Sequence, residues 1–338
     1  MFEVGAIMAP STRLTLSGLT VRFDGVTVLH GIDLSIGKGE ALGLVGESGS
    51  GKSVTWLAAL GLLPGKAQVS GSARLDDLEL VGAKPAALDK VRGGRVAMIF
   101  QDPTSALNPV LKVGTQIGEA LSLHRGLSGR AIKAEAKRLF DLVGIPDAER
   151  RLSAYPHEFS GGQNQRVMIA MALAGEPDIL VADEPTTALD VTIQAQILDL
   201  LNTIRREMGM ALVLISHDLG VIAETCDRVA VMYAGRIVEE APAAELFAAP
   251  RHPYAQGLLN SLPPLGGARR KLVSIPGVVP DPRALPKGCA FAPRCTQAAA
   301  ICREAVPALR NAETGRRVAC VFEPEVPAPM VERELELA

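Results

Sequence analysis

The segment FSGGQNQRVMIAMALAGEPDILVADEPTTALD, residues 159–190, decides the fold. A glycine-rich turn, a helix-compatible stretch and a short strand follow one another in it. The strand, residues 179–182, is apolar throughout, and Asp183 and Glu184 come directly after it. Open α/β sheets bind ligands beyond the carboxyl ends of their strands. The segment therefore predicts an α/β fold with an acidic site at one edge of its sheet.

Length and composition limit the class of protein. The chain has 338 residues, of which 21% are charged and 48% hydrophobic, and its formal net charge is −2. This length predicts two domains, or one large domain with an appendage, and the apolar content predicts a packed core. No nucleic-acid partner is expected, because the charge balance provides no basic field.

The hydropathy pattern predicts no membrane span. The mean hydropathy is +0.21, but the apolar runs at 179–182 and 211–215 are far shorter than the roughly 18 residues that a spanning helix needs. The start, MFEVGAIMAP, lacks the features of a secretory signal. We therefore expect a cytoplasmic chain with reduced cysteines.

The order of elements predicts a mostly parallel sheet with additions. Branched residues around the Asp24-Gly25 turn predict an antiparallel N-terminal layer, and the stretch from about 115 to 176 predicts an inserted helical lobe. Short apolar strands alternate with helices through the core, as in α/β proteins. Because prolines and cysteines crowd the chain after about residue 240, we place a core domain at 12–245 and a C-terminal extension at 246–338.

A glycine-rich loop after the first core strand has the chemistry of a phosphate cradle. Its residues are Gly46, Glu47, Ser48, Gly49, Ser50, Gly51, Lys52 and Ser53. The glycines let successive N–H groups turn inward, and the following helix points its positive end at the same place. Lys52 would reach the β- and γ-phosphates, and Ser53 would bind Mg²⁺. The alternative is a chance glycine turn.

The acidic pair after residues 179–182 suits phosphoryl transfer. Asp183 would hold Mg²⁺ through its water shell, and Glu184 would polarise the attacking water. The alternative is a solvated acidic turn that ends the strand.

Ser160-Gly161-Gly162-Gln163 indicates a second phosphate-binding surface. Ser160 is a good N-cap, and the two glycines leave the first N–H groups of the next helix bare. A chain with two such surfaces and one phosphate loop indicates that the second surface completes the site of a neighbouring subunit. On its own, the motif would be read as an ordinary helix start.

Taken together, these motifs resemble those of the ATP-binding subunits of ABC transporters, and the resemblance covers the whole chain. It implies a P-loop α/β fold with the ATPase core at residues 12–245. Residues 46–53 match the Walker A loop of that family, 160–163 its signature motif and 179–184 its Walker B strand with the catalytic glutamate. By the same resemblance, Gln101 is the Q-loop glutamine at Mg²⁺ and His217 is the switch histidine at the γ-phosphate.

Two further positions follow from the resemblance. Ala188-Leu189-Asp190 matches the D-loop at the dimer interface, and Phe23 matches the aromatic residue that stacks on adenine. Because Lys52, Gln101, Glu184 and His217 are all present, the resemblance implies a subunit that hydrolyses ATP.

The flanking sequence resembles the oligopeptide and dipeptide importer branch. PHEF at 156–159, RHPY at 251–254 and GCAFAPRC at 288–295 carry this likeness. Asn164 departs from it, because the branch usually has arginine there, and we expect a tuning effect rather than loss of activity. Peptide is the expected cargo, with nickel or another small solute as the alternative. Two other classes of function stay open. One is a soluble ABC ATPase of DNA repair or translation, and the other is a protein whose tail serves metal sensing or interaction.

The resemblance also implies partners. Two ATP molecules would lie between this subunit and a second, related ATPase, with two membrane permeases above them and an external binding protein that delivers the solute. The pair would lie peripherally at the cytoplasmic face of the plasma (inner) membrane.

Four cysteines in the extension, Cys289, Cys295, Cys302 and Cys320, form a candidate ligand set. Similar tails are associated with a four-iron, four-sulfur cluster, and four thiolates satisfy such a cluster. Zinc and metal-free packing are the alternatives. His30, His124 and His252 have no metal-ligand spacing and are expected to be structural. For His157, just before the signature motif, we expect packing, and a role in supporting that motif is the alternative.

Overall fold

The computed structural model describes residues 12–102, 106–187, 189–261, 274–313 and 315–322. Within these ranges the strands β1 to β12 are Thr12–Phe23, Val26–Gly37, Ala41–Val45, Ala67–Leu75, Leu78–Glu79, Val96–Ile99, Ile179–Asp183, Ala211–Ile215, Arg228–Tyr233, Arg236–Pro242, Arg310–Glu313 and Arg316–Val318. The helices α1 to α11 are Lys52–Ala59, Pro85–Val91, Val113–Arg125, Gly129–Leu142, Ala148–Arg151, Gly161–Leu173, Val191–Met208, Leu219–Thr225, Ala243–Ala248, Pro253–Asn260 and Ile301–Glu304. Short 3₁₀ turns lie at Pro156–Glu158, Pro282–Ala284 and Ala292–Arg294. Among these helices, none has both the length and the apolar character needed to cross a bilayer.

The central sheet has its strands in the order β11-β12-β10-β9-β3-β8-β7-β6. The strands from β9 to β6 pair in parallel, whereas β10 is antiparallel to β9. β3, β7 and β8 are buried along their whole length. Strands covered on both faces read as continuous apolar runs rather than as alternating ones. The predicted mostly parallel α/β core is therefore confirmed.

Successive side chains of the central strands belong alternately to two apolar clusters, one on each face of the sheet. Leu180 and Ala182 belong to one cluster, whereas Ile179 and Val181 belong to the other. This division follows from the two-residue period of a strand. Asp183 lies at the carboxyl end of β7, the edge of a parallel sheet at which α/β proteins bind their ligands.

An antiparallel sheet in the order β2-β1-β4-β5 covers one of these clusters. Asp24 and Gly25 form its first turn with φ of 47° and 83°, in the left-handed region that a two-residue hairpin requires. Trp56 of α1 is 1% exposed in the same cluster. The predicted N-terminal β layer is confirmed.

The inserted helical lobe comprises α3 to α6. The helices α3, α4 and α6 pack on one another. Their buried apolar residues belong to the cluster that contains Leu180 and Ala182; examples are Ile117, Leu139, Phe140 and Val167. The lobe begins at Val113, close to the predicted residue 115.

The C-terminal extension continues the central sheet. Strand β12 pairs with β10 through Glu239↔Val318 and Glu240↔Arg317, and the Ala319 N–H donates to the Val238 carbonyl at 2.8 Å. Residues on both sides of the predicted boundary at 245/246 thus share one sheet, and the division of the chain into two domains there stays a prediction. Residues 323–338 of the predicted extension lie outside the described residues.

Candidate functional site

The phosphate loop, residues 46–53, joins β3 to α1. Gly46 and Gly51 have φ of 150° and 104°. A Cβ on Gly46 would lie 2.2 Å from the Met232 carbonyl oxygen, and one on Gly51 would lie 2.5 Å from Leu29 Cδ2. Glycine at these two positions lets the loop run against β9 and β2 and bring its N–H groups to the start of α1.

Lys52 is the first residue of α1 and is 7% exposed. Its Nζ donates to the carbonyl oxygens of Gly46 at 2.8 Å and Glu47 at 3.0 Å. Burial lowers the pKa of Lys52, and the carboxylates of Glu184, Asp183 and Glu47 oppose this shift. An ammonium group has three donors. Lys52 can therefore bind a phosphate oxygen while it still holds the loop.

The predicted acidic pair lies beside the phosphate loop. Asp183 ends β7, and its carboxylate accepts a hydrogen bond from the Ser53 side chain. Burial raises the pKa of Asp183, and the Ser53 hydrogen bond opposes this shift. Hydroxyl and carboxylate oxygens are ligands that suit Mg²⁺. Ser53 and Asp183 are therefore placed to serve the metal role predicted for them.

Glu184 is held in an uncommon backbone conformation. Its φ is 47°, and its N–H donates to the Ile215 carbonyl of β8 at 2.9 Å. A non-glycine residue with positive φ is rare and often marks a functional constraint. The conformation ends the strand sharply, and the Glu184 side chain reaches the cleft beside Lys52.

Three side chains surround the Glu184 carboxylate. Gln101 Nε2 donates to Glu184 Oε2 at 3.0 Å, and the Thr187 hydroxyl donates to the same oxygen at 2.9 Å. His217 Nδ1 lies 3.6 Å from this oxygen, and its side chain is 68% exposed. These contacts come from three separate loops after β6, β7 and β8. The parallel sheet thus brings together the predicted residues Gln101, Glu184 and His217.

A cleft of about 1330 Å³ lies over these groups, which is larger than the roughly 300–1,000 Å³ of most small-molecule sites. The predicted residues that line it are Phe23, Gly46, Ser48, Gly49, Gly51, Lys52, Ser53, Gln101, Glu184 and His217. Glu47 and Ser50 belong to the loop but do not line the cleft. Asp183 does not line the cleft either, but it interacts with Ser53, which does.

The second predicted surface lies apart from the cleft lining. The Ser160 hydroxyl accepts from the Gln163 N–H at 3.3 Å, and the Gln163 side chain accepts from the Ser160 N–H at 3.1 Å. This reciprocal pair is a capping box, so the start of α6 falls where the sequence predicts it. At Gly162 a Cβ would lie 2.8 Å from Ile193 Cγ2, so glycine lets α6 approach α7.

The predicted Asp190 is the N-cap of α7, since its Oδ1 accepts from the Ile193 N–H at 2.9 Å. The starts of α6 and α7 lie side by side, because Gly161 approaches Leu189 and Gly162 approaches Ile193. Neither Ser160 nor Asp190 is among the residues that line the cleft. Ala188, predicted with it, lies outside the described residues.

Comparison with known proteins identifies the family. Residues 29–187 match the family model for ABC transporters, and residues 238–302 match the model for the C-terminal region of oligopeptide/dipeptide transporters. The oligopeptide transport ATP-binding protein OppD of Haemophilus influenzae is 50% identical over 294 residues, which cover 86% of this chain and 91% of the relative. This chain belongs to the ABC transporter family. The expected resemblance, P-loop fold and ATPase class are thereby confirmed.

Other relatives support the same assignment. OppD of Salmonella typhimurium is 48% identical over 92% of this chain and 93% of the relative. A putative peptide import ATP-binding protein of Brucella abortus is 49% identical over 91% of this chain and 94% of the relative.

Solved ABC structures have a similar fold. CbiO1 of Clostridium perfringens, part of an ABC transporter complex, has a TM-score of 0.61 at 28% identity and covers 70% of this chain and 91% of its own. A dimeric ATP-binding cassette in a post-hydrolysis state with ADP and phosphate has a TM-score of 0.60 at 28% identity, with 68% and 98% covered.

The ABC cleft also contains residues that the sequence reasoning missed. His30 lines the cleft near Phe23, although we expected only a structural role for it. The C-terminal extension contributes Val278, Pro280 and Arg283 to the same wall. No local motif marks these residues, because they reach the cleft only through tertiary packing.

The four cysteines of the extension line one small pocket together with His252 and Phe291: Cys289, Cys295, Cys302 and Cys320. Burial raises the thiol pKa of Cys289, Cys295 and Cys320. Across the described residues, however, no group of three or more His, Cys, Asp or Glu side chains is arranged to hold a metal ion. The side-chain arrangement therefore gives no support to the expected iron–sulfur cluster or to zinc.

Proposed function

We propose that this chain is the ATP-binding and ATP-hydrolysing subunit of an ABC importer for peptides. One observation carries the catalytic part of the proposal. The phosphate loop with Lys52 and the carboxylate of Glu184, held by Gln101 and Thr187, face one cleft. Such a site positions a phosphate chain and a water-activating base together, which is what phosphoryl transfer requires.

Each residue has a distinct role in the proposed reaction. The loop N–H groups and Lys52 bind the phosphates, and Glu184 accepts a proton from the water that attacks the γ-phosphorus. The bond from that phosphorus to the leaving ADP oxygen breaks as the new bond forms. Ser53 and Asp183, with Gln101, would hold Mg²⁺, which neutralises phosphate charge when bound. His217 lies beside the base and would contact the γ-phosphate.

The signature helix is the proposed contribution to a second subunit. Ser160 and the following glycines do not line the chain's own cleft, and the glycines approach Leu189 and Ile193 on either side of Asp190. ATP bound between this face and the phosphate loop of a related ATPase would close the pair, and hydrolysis would let it reopen. A heterodimer beneath two permeases, at the cytoplasmic face of the inner membrane, is the arrangement we propose.

The peptide cargo rests on the relatives. The three relatives with identities of 48–50% are described as oligopeptide transport or peptide import proteins, and residues 238–302 match the C-terminal region of such transporters. An external binding protein and the permeases would select the peptide.

Complementation tests the proposal. In cells that lack this subunit, the wild-type chain should restore uptake of labelled di- and oligopeptides, and Glu184→Gln should not. Turnover by the purified transporter should fall by about 10²–10⁴-fold in this variant, because general-base catalysis has that magnitude. ATP binding should persist, and the closed pair should accumulate with ATP.

A matched control is Glu207→Gln, which changes an exposed glutamate of α7 and should transport normally. Restoration of nickel uptake without peptide uptake would show that nickel, not peptide, is the cargo. ATPase activity with no permease in complexes purified from detergent-solubilised membranes would favour the soluble class. Near-normal turnover by Glu184→Gln would refute its role as base.

The iron–sulfur cluster is a separate proposal. It rests on the donor chemistry of Cys289, Cys295, Cys302 and Cys320, since four thiolates are a complete ligand set. The four cysteines line one pocket, but the cluster would have to draw their thiols out of an arrangement that forms no metal site among the described residues. Anaerobically purified protein should then contain iron and labile sulfide and absorb broadly in the visible range. Colourless protein without iron would reject the cluster, and zinc in that preparation would replace it.

A further inference from the structure

The phosphate loop is tied to the C-terminal extension through Glu47. Arg294 Nη1 donates to Glu47 Oε2 at 2.6 Å, and Arg294 Nη2 donates to Glu47 Oε1 at 2.9 Å. The two residues are 247 positions apart in sequence. Two parallel hydrogen bonds between a guanidinium and a carboxylate fix their relative orientation as well as their distance.

The Arg294 side chain is enclosed. It is 5% exposed, compared with 30% for Glu47. Its Nε donates to the Pro276 carbonyl at 2.8 Å, and its Nη1 also lies 3.3 Å from the Tyr233 hydroxyl. The Glu47 hydrogen bonds raise the pKa of Arg294 above its already high ordinary value, so the side chain keeps its charge. A buried charge of this kind needs its partner, because an unpaired one is costly.

Glu47 is also held through its backbone. Its N–H donates to the Tyr254 hydroxyl at 2.8 Å, and its carbonyl accepts from Lys52 Nζ at 3.0 Å. Tyr254 of α10 is fully buried. Three groups of Glu47 thus have fixed partners, and two of these partners lie beyond the core strands in the chain. The backbone of the loop is set in place by the extension.

Electrostatics gives the ion pair a second effect. The Glu47 carboxylate is close enough to Lys52 to act on its pKa, so it places negative charge beside the cradle that must accept phosphates. Arg294 neutralises that charge at the rear of the loop. Without Arg294, an uncompensated carboxylate would repel the phosphate chain.

We propose that Arg294 is a positioning residue for nucleotide binding: it holds Glu47 so that the phosphate loop is preorganised, and it cancels the charge of that carboxylate. The inference rests on the proposed ATP site. It adds that the extension controls the affinity of this site for phosphate groups. Preorganisation raises affinity because the ordering cost is met before the ligand binds.

Equilibrium binding of ADP and adenosine to the full chain tests this role. Arg294→Ala should weaken ADP binding by about tenfold, the equivalent of one charge-assisted hydrogen bond, and leave adenosine binding unchanged because adenosine carries no phosphate. Arg294→Lys keeps the charge but loses the bidentate geometry and should fall between Arg294→Ala and the wild type.

The double variant separates charge from packing. Glu47→Gln combined with Arg294→Ala removes both charges, and ADP affinity should recover to within about threefold of the wild type. A purely structural role predicts no recovery, and that result would overturn the inference. Arg303→Ala, at an exposed position of the same extension, is the matched control and should bind ADP as the wild type does.

Two measurements keep the outcomes distinct. Wild-type binding and hydrolysis of ATP are measured first, and their absence would reject the proposed function rather than the role of Arg294. Thermal unfolding identifies a variant that does not fold. If Arg294→Ala does not fold, the ADP affinities of Arg294→Lys and Glu47→Gln test the role of Arg294 instead. Folded Arg294 variants with wild-type ADP affinity would reject the role of Arg294 while the ATP site stands.

Discussion

The Thr187 hydroxyl donates a hydrogen bond of 2.9 Å to Oε2 of Glu184, the oxygen that also accepts from Gln101 at 3.0 Å. Thr187 lies three residues after Glu184 and on the same turn, since its own N–H donates to the Glu184 carbonyl at 3.2 Å. Two donors on one carboxylate oxygen leave the other oxygen, Oε1, for the water that Glu184 would activate as the proposed base. The pair therefore sets which face of the base is available.

Thr187→Val should lower kcat for ATP by about tenfold and leave KM for ATP nearly unchanged. Valine keeps the branched shape but removes the hydroxyl, and a hydrogen bond to a charged group contributes about 1.5–3 kcal/mol. Steady-state kinetics of the purified transporter measure this split. Thr186→Val is the control, because Thr186 uses its backbone carbonyl to accept from Gln194. Equal kcat in both variants would show that Thr187 does not orient the base.

Asn164 turns inward rather than toward the phosphate-binding surface. It is 7% exposed, and its Nδ2 donates to the Pro156 carbonyl at 3.0 Å. This bond joins α6 to the 3₁₀ turn Pro156–Glu158 that precedes the signature. The prediction of a tuning effect thus gains a physical basis, since Asn164 acts through the support of the motif.

Asn164→Ala should lower the free energy of unfolding by about 1 kcal/mol, because one buried hydrogen bond is lost while the Pro156 carbonyl still accepts from the Phe159 N–H at 3.2 Å. ATPase activity should remain at low temperature, where the variant is still folded. Urea unfolding followed by circular dichroism measures the change. Asn260→Ala, at an exposed position of α10, should stay within about 0.5 kcal/mol of the wild type. A comparable loss in both variants would remove the special role of Asn164.

Most of the core and of the candidate site could be predicted, because the chemistry of these residues is local. The loop at Gly46 and Gly51 needs glycine for its backbone angles, and Asp183 and Glu184 follow an apolar strand directly. Parallel pairing then brings successive strand ends to one edge, whatever the length of the connections between them. Gln101 and His217 reach Glu184 for that reason.

The contribution of the extension could not be predicted, because no periodic pattern reports it. Strand β12 has only three residues, too few to show a periodic pattern, and it forms by pairing with β10. Arg294 meets Glu47 across 247 positions, and arginine within a proline-rich segment reads as a solvated side chain. Thr187 was missed for another reason: its hydroxyl matters only because Glu184 adopts a positive φ that brings the carboxylate back over the turn.

Glu135 should make stability depend on pH in the acid range. The hydrogen bonds from Arg138 and then Arg125 lower the pKa of Glu135 from 4.5 to about 2. The unfolded chain then binds more protons than the folded one between these two values. The stabilisation from Glu135 is therefore complete above pH 4.5 and is lost as the pH falls toward 2.

Glu135→Gln should be less stable than the wild type at pH 6, and this difference should narrow as the pH falls from 5 to about 3. Urea unfolding at a series of pH values gives the two curves. Glu119→Gln, an exposed change on α3 of the same lobe, should differ little from the wild type at any pH. A difference for Glu135→Gln that is constant with pH would contradict the assigned pKa.

Glu240 joins the extension to the core, and its replacement should destabilise the fold and weaken the pairing of the extension with the core. The Glu240 carboxylate is 7% exposed and contacts Arg228 of β9 and Arg317 of β12. Glu240→Gln keeps the shape but leaves two arginines without this charge. Because Arg228 retains Glu40 at 2.7 Å, we expect the free energy of unfolding to fall by about 3 kcal/mol, at the lower end for a broken buried ion pair.

Arg317 retains only the Asp33 carbonyl at 2.9 Å among its described acceptors. Hydrogen exchange at β12 should therefore accelerate more than exchange at β9. Glu224→Gln, at an exposed position of α8, should change neither stability nor exchange. If hydrogen exchange accelerated equally in β9 and β12, Glu240 would stabilise the whole sheet rather than specifically holding the extension on the core.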